Sequence, residues 1–278
     1  MSRSPEGPEA PGRVEDLAEA LWAEARDAEH RLLLMDYDGT LAPFHVDPLE
    51  AHPVPGAAPL LERITASGTR VAVISGRPVA QLRRLLEVGG ITLVGEHGWE
   101  IWDPGTGLSR HPLPPSVAGS LARVAAAARR EPWGERLEEK RTSLVLHTRG
   151  MPEEAASRAA GSFGDLWLAE KPPAGLSLQP IDGGMELRAT DRDKGSAVRD
   201  ILSTCPPGVF SIYLGDEWTD EDAFRALAGR GAGIRVGLAE RDSHAQHRLA
   251  GPEEVIAFLR RWVVSVETAR PAATGRAS

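Results

Sequence analysis

Short apolar runs bounded by turn formers recur in the first third of the chain: Leu32-Leu33-Leu34-Met35, Val71-Ala72-Val73-Ile74 and Ile91-Thr92-Leu93-Val94. Runs of this length suit strands buried on both faces. Between them, residues 56–66 and 79–88 carry apolar positions at helical spacing. The pattern predicts strands over 32–37, 70–75 and 91–94, alternating with those two helices. The same rhythm returns late in the chain, with helices expected over 194–202, 219–227 and 252–264, the last starting near a proline. Strands are expected over 209–214 and 233–236. Such alternation implies a parallel sheet with helical crossovers, shared by the two halves. Ahead of the sheet, Val14, Leu17, Leu21, Trp22 and Ala25 predict an amphipathic helix within 14–31.

The stretch between the halves, 98–187, has a different character. It opens on the Pro-rich segment His111-Pro112-Leu113-Pro114-Pro115 and predicts helices over 117–130 and 153–160. Strands are expected over 143–148, 166–168, 176–180 and 185–188. The reading is a core of 14–97 and 188–267 with a compact α/β cap inserted above the strand ends. Residues 1–13 and 268–278 are too polar and small to bury apolar surface alone and are expected as disordered tails.

Composition narrows the function classes. The 278 residues are 41% hydrophobic, enough for an ample core, and the net charge of -8 arises from 32 basic and 40 acidic side chains. That balance argues against nucleic acid or anionic membrane as partner and fits a site that holds a divalent cation. Cys205 is the sole cysteine, so no internal disulfide forms. No apolar run reaches membrane-spanning length, and the N-terminus lacks a secretory layout. The expected location is cytoplasmic, with oligomeric state left open.

The candidate chemistry clusters where strands end. Asp36 and Asp38 lie two residues apart after the first apolar run, so in extended chain both point to one side. Open α/β sheets bind ligands at such carboxyl ends. Ser75 ends the second strand and is followed by Gly76 and Arg77. Lys194 opens a helix. Asp216 comes straight off the strand Ile212-Tyr213-Leu214, with Glu217 and Asp220 close behind.

Asp36-Tyr37-Asp38-Gly39-Thr40, Ser75, Lys194 and Asp216 with Asp220 resemble, in order, the four motifs of the haloacid dehalogenase superfamily. The resemblance implies a Rossmann-like, doubly wound parallel-sheet core, with the cap inserted after the third strand. It also implies that Asp36 is the nucleophile and that Asp38 acts as acid and then base. Lys194 would steady Asp36, Ser75 would donate to a phosphoryl oxygen, and Mg²⁺ would be held by Asp36, the Asp38 carbonyl and Asp216, with Asp220 in support. The second aspartate separates ester hydrolysis from dehalogenation, which needs no acid for a leaving alkoxide.

Further segments resemble the trehalose-6-phosphate phosphatases: Glu96-His97-Gly98, Glu139-Lys140, His147-Thr148-Arg149, Met185-Glu186-Leu187-Arg188 and the run from Gly215 to Phe224. By that resemblance the substrate is a small sugar phosphate, bound by Gly76, Arg77, Glu96, His97, Gly98, Lys140, His147, Arg149, Glu186 and Glu217. Carboxylates accept from paired hydroxyls while Lys, Arg and His donate. Trp218 is the aromatic expected to stack on a sugar. The chain departs from the family's pattern in lacking a lysine within Ile181-Asp182-Gly183-Gly184-Met185 and in carrying Glu217 where aspartate is usual. Another disaccharide or pseudo-disaccharide phosphate, such as sucrose 6-phosphate or a glucosyl conjugate, therefore stays open as substrate. So do a phosphomutase and a non-catalytic sugar-phosphate-binding module.

Overall fold

The computed structural model describes residues 12–45, 47–170, 173–181 and 183–267. The expected tails mostly lie outside this range, at 1–11 and 268–278. Gly12, assigned to the first tail, is instead anchored: its carbonyl accepts from the Ala250 amide at 2.7 Å.

A 3-10 turn (Val14–Asp16) and α1 (Glu19–Asp27) lead into β1 (Arg31–Met35), so the helix expected over 14–31 is shorter than its apolar spacing suggested. There follow α2 (Ala57–Ala66), β2 (Thr69–Ile74), α3 (Val79–Leu86) and β3 (Thr92–Gly95). A hairpin, β4 (Glu100–Asp103) and β5 (Gly107–Arg110), precedes α4 (Pro115–Ala128), β6 (Leu137–Glu139), β7 (Ser143–His147) and α5 (Glu153–Ala169). The chain continues through β8 (Leu176–Ile181), β9 (Gly184–Ala189), α6 (Lys194–Ser203), β10 (Phe210–Gly215) and α7 (Asp220–Leu227). It closes with β11 (Gly231–Val236), β12 (His247–Leu249) and α8 (Pro252–Glu267).

The large sheet has the order β12-β11-β10-β1-β2-β3-β4-β5. Pairing is parallel from β12 to β3 and antiparallel beyond. Strand order therefore reverses between β1 and β10, a switch point at which two crossovers diverge and leave a crevice. The apolar runs serve both faces at once: Leu33, Met35, Val71, Val73, Ile212 and Leu214 pack toward α1, α2, α3 and α8. Leu32, Leu34, Ala72, Ile74 and Tyr213 pack toward α6 and α7. This is the period-two alternation of a strand applied to a two-sided sheet.

Between the halves stands a separate antiparallel sheet, β6-β7-β9-β8, backed by α4 and α5. Its core joins Val117, Leu121 and Val124 of α4 to Ala159, Phe163 and Trp167 of α5 across Leu144, Leu146 and Leu187. Two sequence expectations fail here. Residues 166–168 are helical, because Ala159, Phe163 and Trp167 at spacing four form one buried helix face. The hairpin at 100–110, grouped with the insertion, extends the large sheet instead. The mixed-charge run at 136–141, for which no strand was expected, contains β6, which pairs residue by residue with β7.

Phe163 is fully buried and meets Trp133 edge-on at 5.9 Å. Its replacement by alanine is expected to cost about 3–5 kcal/mol of stability; urea unfolding measures this, and a loss below ~1 kcal/mol would mean that this core is not close-packed.

Candidate active site

The switch point collects the acids. Asp36 continues β1 and is tied to β10 through its amide, which donates to the Leu214 carbonyl at 2.8 Å. One of its carboxylate oxygens accepts from the Tyr37 amide at 2.6 Å, and the other meets the Lys194 ammonium at 2.7 Å. Lys194 is the first residue of α6, where Asp193 caps the helix by accepting from the Ser196 amide at 2.6 Å. Its ammonium also reaches Asp220 at 2.7 Å. Asp220 accepts further from the Tyr213 hydroxyl at 2.6 Å and the Glu217 amide at 2.8 Å, so both its oxygens are engaged. Asp216 follows β10 and accepts from Thr40 at 3.1 Å.

Gly39 shows how tightly this floor is packed. It holds a φ of +71°, and a Cβ there would stand 2.1 Å from an Asp216 oxygen. A side chain at that position would push the carboxylate aside.

Carboxylate oxygens of Asp36, Asp216 and Asp220 lie within 4.8 Å of one another. Burial together with Asp220 and Glu217 pushes Asp216 up to about 8, against the pull of Lys194 and Thr40. Asp36 is raised by burial and by Asp220, Asp216 and Glu217, although Lys194 opposes them. Glu217 is raised chiefly by burial. One ammonium thus leaves buried negative charge uncompensated, and a divalent cation with oxygen ligands fits this donor set.

Above the floor opens a cleft of about 280 Å³ between the large sheet and the insertion. The core contributes Asp36, Asp38, Ser75, Gly76, Arg77, His97, Lys194 and Glu217 to its walls. The insertion contributes Lys140, His147, Arg149 and Glu186. Asp38 is gripped by Arg77, and the Lys140 ammonium donates to the Gly76 carbonyl at 3.1 Å across the gap. Glu186 and His97 face each other at 3.6 Å. Burial lowers the His97 ring's proton affinity. Burial opposes charge on Glu186, yet His97 and the nearby Lys140 and Arg188 outweigh it and hold the carboxyl below its ordinary range.

Two of the residues expected to bind substrate do not line this cleft. Glu96 is buried, and its carboxylate accepts from the Thr142 hydroxyl and from the Arg141 amide at 3.4 Å. Gly98 turns the chain at a φ of +105° and offers its carbonyl to Arg192 at 2.7 Å. Both join the β3 end to its surroundings rather than facing the opening. Trp218 is 67% exposed, stacked under Arg241 at 4.6 Å and outside the cleft lining.

Sequence reasoning passed over Glu138, Gln81, Arg136 and His45, which all line the cleft. The Glu138 carboxylate accepts from His147 Nε2 at 2.9 Å and is held low against burial by His147 and Lys140. The signal was available in the alternation of β6. Leu137 packs on the apolar core and Glu139 pairs with Arg129 just after α4, so Glu138 between them must face the other way.

The model of the trehalose-phosphatase family matches residues 34–253, which span the floor and the insertion together. Among curated relatives, an uncharacterised glycosyl hydrolase of Mycobacterium tuberculosis is 35% identical over 82% of this chain, which spans only 18% of that protein. A trehalose-phosphate phosphatase of Mycobacterium marinum is 30% identical over 96% of this chain and 68% of its own length. A probable trehalose-phosphate phosphatase of rice is 29% identical over 84%, with 65% of its length covered. Among solved structures, the trehalose-6-phosphate phosphatase of Aspergillus fumigatus superposes with a TM-score of 0.64 at 26% identity, covering 92% of this chain and 99% of that one. The C-terminal domain of the Candida albicans enzyme shares the fold with a TM-score of 0.76 at 21% identity, covering 92% and 98%. A family match over well above half of the chain, carried by the segments that build the acid floor and the cleft, means that this chain belongs to the trehalose-phosphatase family.

Proposed function

We propose that the protein is a Mg²⁺-dependent phosphatase that hydrolyses trehalose 6-phosphate to trehalose and phosphate through an aspartyl-phosphate. The observation that carries this reading is the facing of two unlike surfaces: a lysine-bridged acid floor suited to phosphoryl transfer, and an insertion wall bearing Lys140, His147, Glu138 and Glu186, suited to a polyhydroxylated ligand. The inserted four-stranded unit, 98–187 less the 100–110 hairpin, acts as the cap.

In this reading a carboxylate oxygen of Asp36 attacks phosphorus in line as the bond to the sugar oxygen breaks, and Asp38 gives that oxygen its proton. Water then attacks the acyl phosphate, losing its proton to Asp38, and phosphate leaves with Asp36 restored. Lys194 keeps Asp36 oriented and offsets charge on the transferring group, while the buried Ser75 hydroxyl donates to a phosphoryl oxygen. Asp36, Asp216 and Asp220 would hold the Mg²⁺, which when bound supplies Lewis-acid neutralisation of phosphoryl charge. Glu186 and Glu138 accept from sugar hydroxyls, and Lys140, His147 and Arg149 donate to them. No helix among the described residues is long and apolar enough to cross a membrane; the enzyme works on a small, soluble substrate.

Phosphate release from trehalose 6-phosphate is expected to exceed that from sucrose 6-phosphate and glucose 6-phosphate at least tenfold. Asp36→Asn should lower it by about 10⁴-fold or more, and equal turnover of the three esters would sink the trehalose assignment. Calorimetry gives a test of the cation that does not depend on turnover. Mg²⁺ at about a hundred times its dissociation constant should add about 2.7 kcal/mol of stability, and Asp216→Asn should abolish the gain; an equal gain in that variant would place the ion elsewhere. Lys194→Met, which strands Asp36 and Asp220 without their counter-charge, is expected to lose about 3–5 kcal/mol in chelator, read as a lowered urea midpoint.

A further inference from the structure

We infer that Arg77 is a positioning residue that holds the Asp38 carboxyl in register with the leaving oxygen through both proton transfers; this rests on the phosphatase reading above. The guanidinium grips Asp38 with two parallel bonds, Nε and Nη2 each 2.6 Å from a different carboxylate oxygen. Its remaining nitrogen donates to the Pro48 carbonyl at 2.6 Å and lies 3.5 Å from the Gln81 side-chain oxygen. The fork lies 5.4 Å from the centre of the Tyr37 ring. At the backbone, the Arg77 amide donates to Ser75 Oγ at 3.2 Å and its carbonyl accepts from the Glu96 amide at 2.9 Å. Every part of this side chain is fixed, and its exposure is only 9%.

Asp38 is placed differently. It lies just before the turn at 39–41, its side chain is 23% exposed, and among the described residues no other side chain is hydrogen-bonded to its carboxylate. An acid group must stand within about 2.6–3.2 Å of the oxygen it serves. Without the fork, a short side chain at the cleft wall would sample several rotamers, so the orientation must come from Arg77.

Two N–H donors suit both states of the acid. A protonated Asp38 keeps one bond to Arg77 while its other oxygen presents the proton to the sugar oxygen. As that oxygen's bond to phosphorus breaks and the Asp36 oxygen bonds to phosphorus, the proton passes to the sugar and the new carboxylate takes up the second bond. The structure has both bonds made, Nε and Nη2 each on a different oxygen. In the second half one bond opens again while Asp38 receives the proton of the attacking water. A lysine could supply the charge but not this planar pair of donors. The fork is also tied to the insertion, because the charge of Glu138, which lines the same cleft, acts on Arg77.

The test uses phosphate monoesters of rising leaving-group basicity, from p-nitrophenyl phosphate, whose phenolate departs without a proton, to simple alkyl phosphates. Single-turnover release of the leaving group isolates the first half-reaction. Arg77→Ala should lose about 10²–10⁴-fold on alkyl esters, the usual contribution of a general acid, and less than tenfold on p-nitrophenyl phosphate. Arg77→Lys should recover the Michaelis constant but not the alkyl rate, and it serves also if the alanine variant fails to fold. Loss by one common factor across the series, or full recovery of the alkyl rate with lysine, would overturn the assignment and leave Arg77 as a charge for substrate. The readout is a slope and does not depend on any one sugar. Failure on trehalose 6-phosphate alone would therefore count against the proposed substrate and not against Arg77, whereas a wild type inert on every monoester would overturn both.

Discussion

One buried ammonium sets the arrangement of everything around it. Lys194 is almost wholly enclosed and touches both Asp36 and Asp220 at 2.7 Å, joining the ends of β1 and α7 through the start of α6. Three or four carboxylates in one crevice repel each other at low dielectric, and desolvation disfavours their charged forms. A single positive charge in contact with two of them holds both in place. Asp216, pushed to about 8, marks what the lysine leaves unbalanced. The floor is therefore a site built around a deficit of positive charge, which the oxygen donors of Asp36, Asp216 and Asp220 suit to a divalent cation.

The sheet makes that crowding possible. Reversal of strand order between β1 and β10 separates the crossovers and leaves their carboxyl ends side by side without a covering loop. The period-two alternation of β1 puts Leu33 and Leu34 on opposite faces, each buried by a different set of helices. Burial on both faces gives the strand ends the rigidity that a closely spaced acid cluster demands.

Core and insertion are joined by few but specific polar contacts. Glu96 and His97 both take left-handed backbone angles, φ +48° and +55°, which for such residues carry about 1–3 kcal/mol of strain each. That strain is held by the Glu96 and His97 amides donating to Arg77 and Ser75, and by Thr142 bonding the Glu96 carboxylate from the insertion. Glu96 is thus a joint between the two sheets. Its place in the expected substrate set came from the resemblance of Glu96-His97-Gly98 to a family segment, whereas here its carboxylate bonds Thr142 and the Arg141 amide.

The core alternation and the acid motif could be read from linear order, because both follow from local periodicity: two-faced burial writes itself as short apolar runs, and strand ends place i and i+2 on one side. Asp36, Asp38 and Asp216 stood out by their place at strand ends, Ser75, Lys194 and Asp220 gained their meaning from the resemblance, and the six do converge. What linear order could not reveal was set by pairing between distant segments. β6 looks like a charged surface run until β7 pairs with it and turns Glu138 inward. The 100–110 hairpin resembles part of the insertion until β3 accepts it as an edge. Arg77 is expected among the substrate-binding residues by resemblance, yet 39 residues of separation close into a fork on Asp38. Local spacing fixes which way a side chain points relative to its own backbone; which partner lies opposite depends on chain segments brought together only when the sheets form.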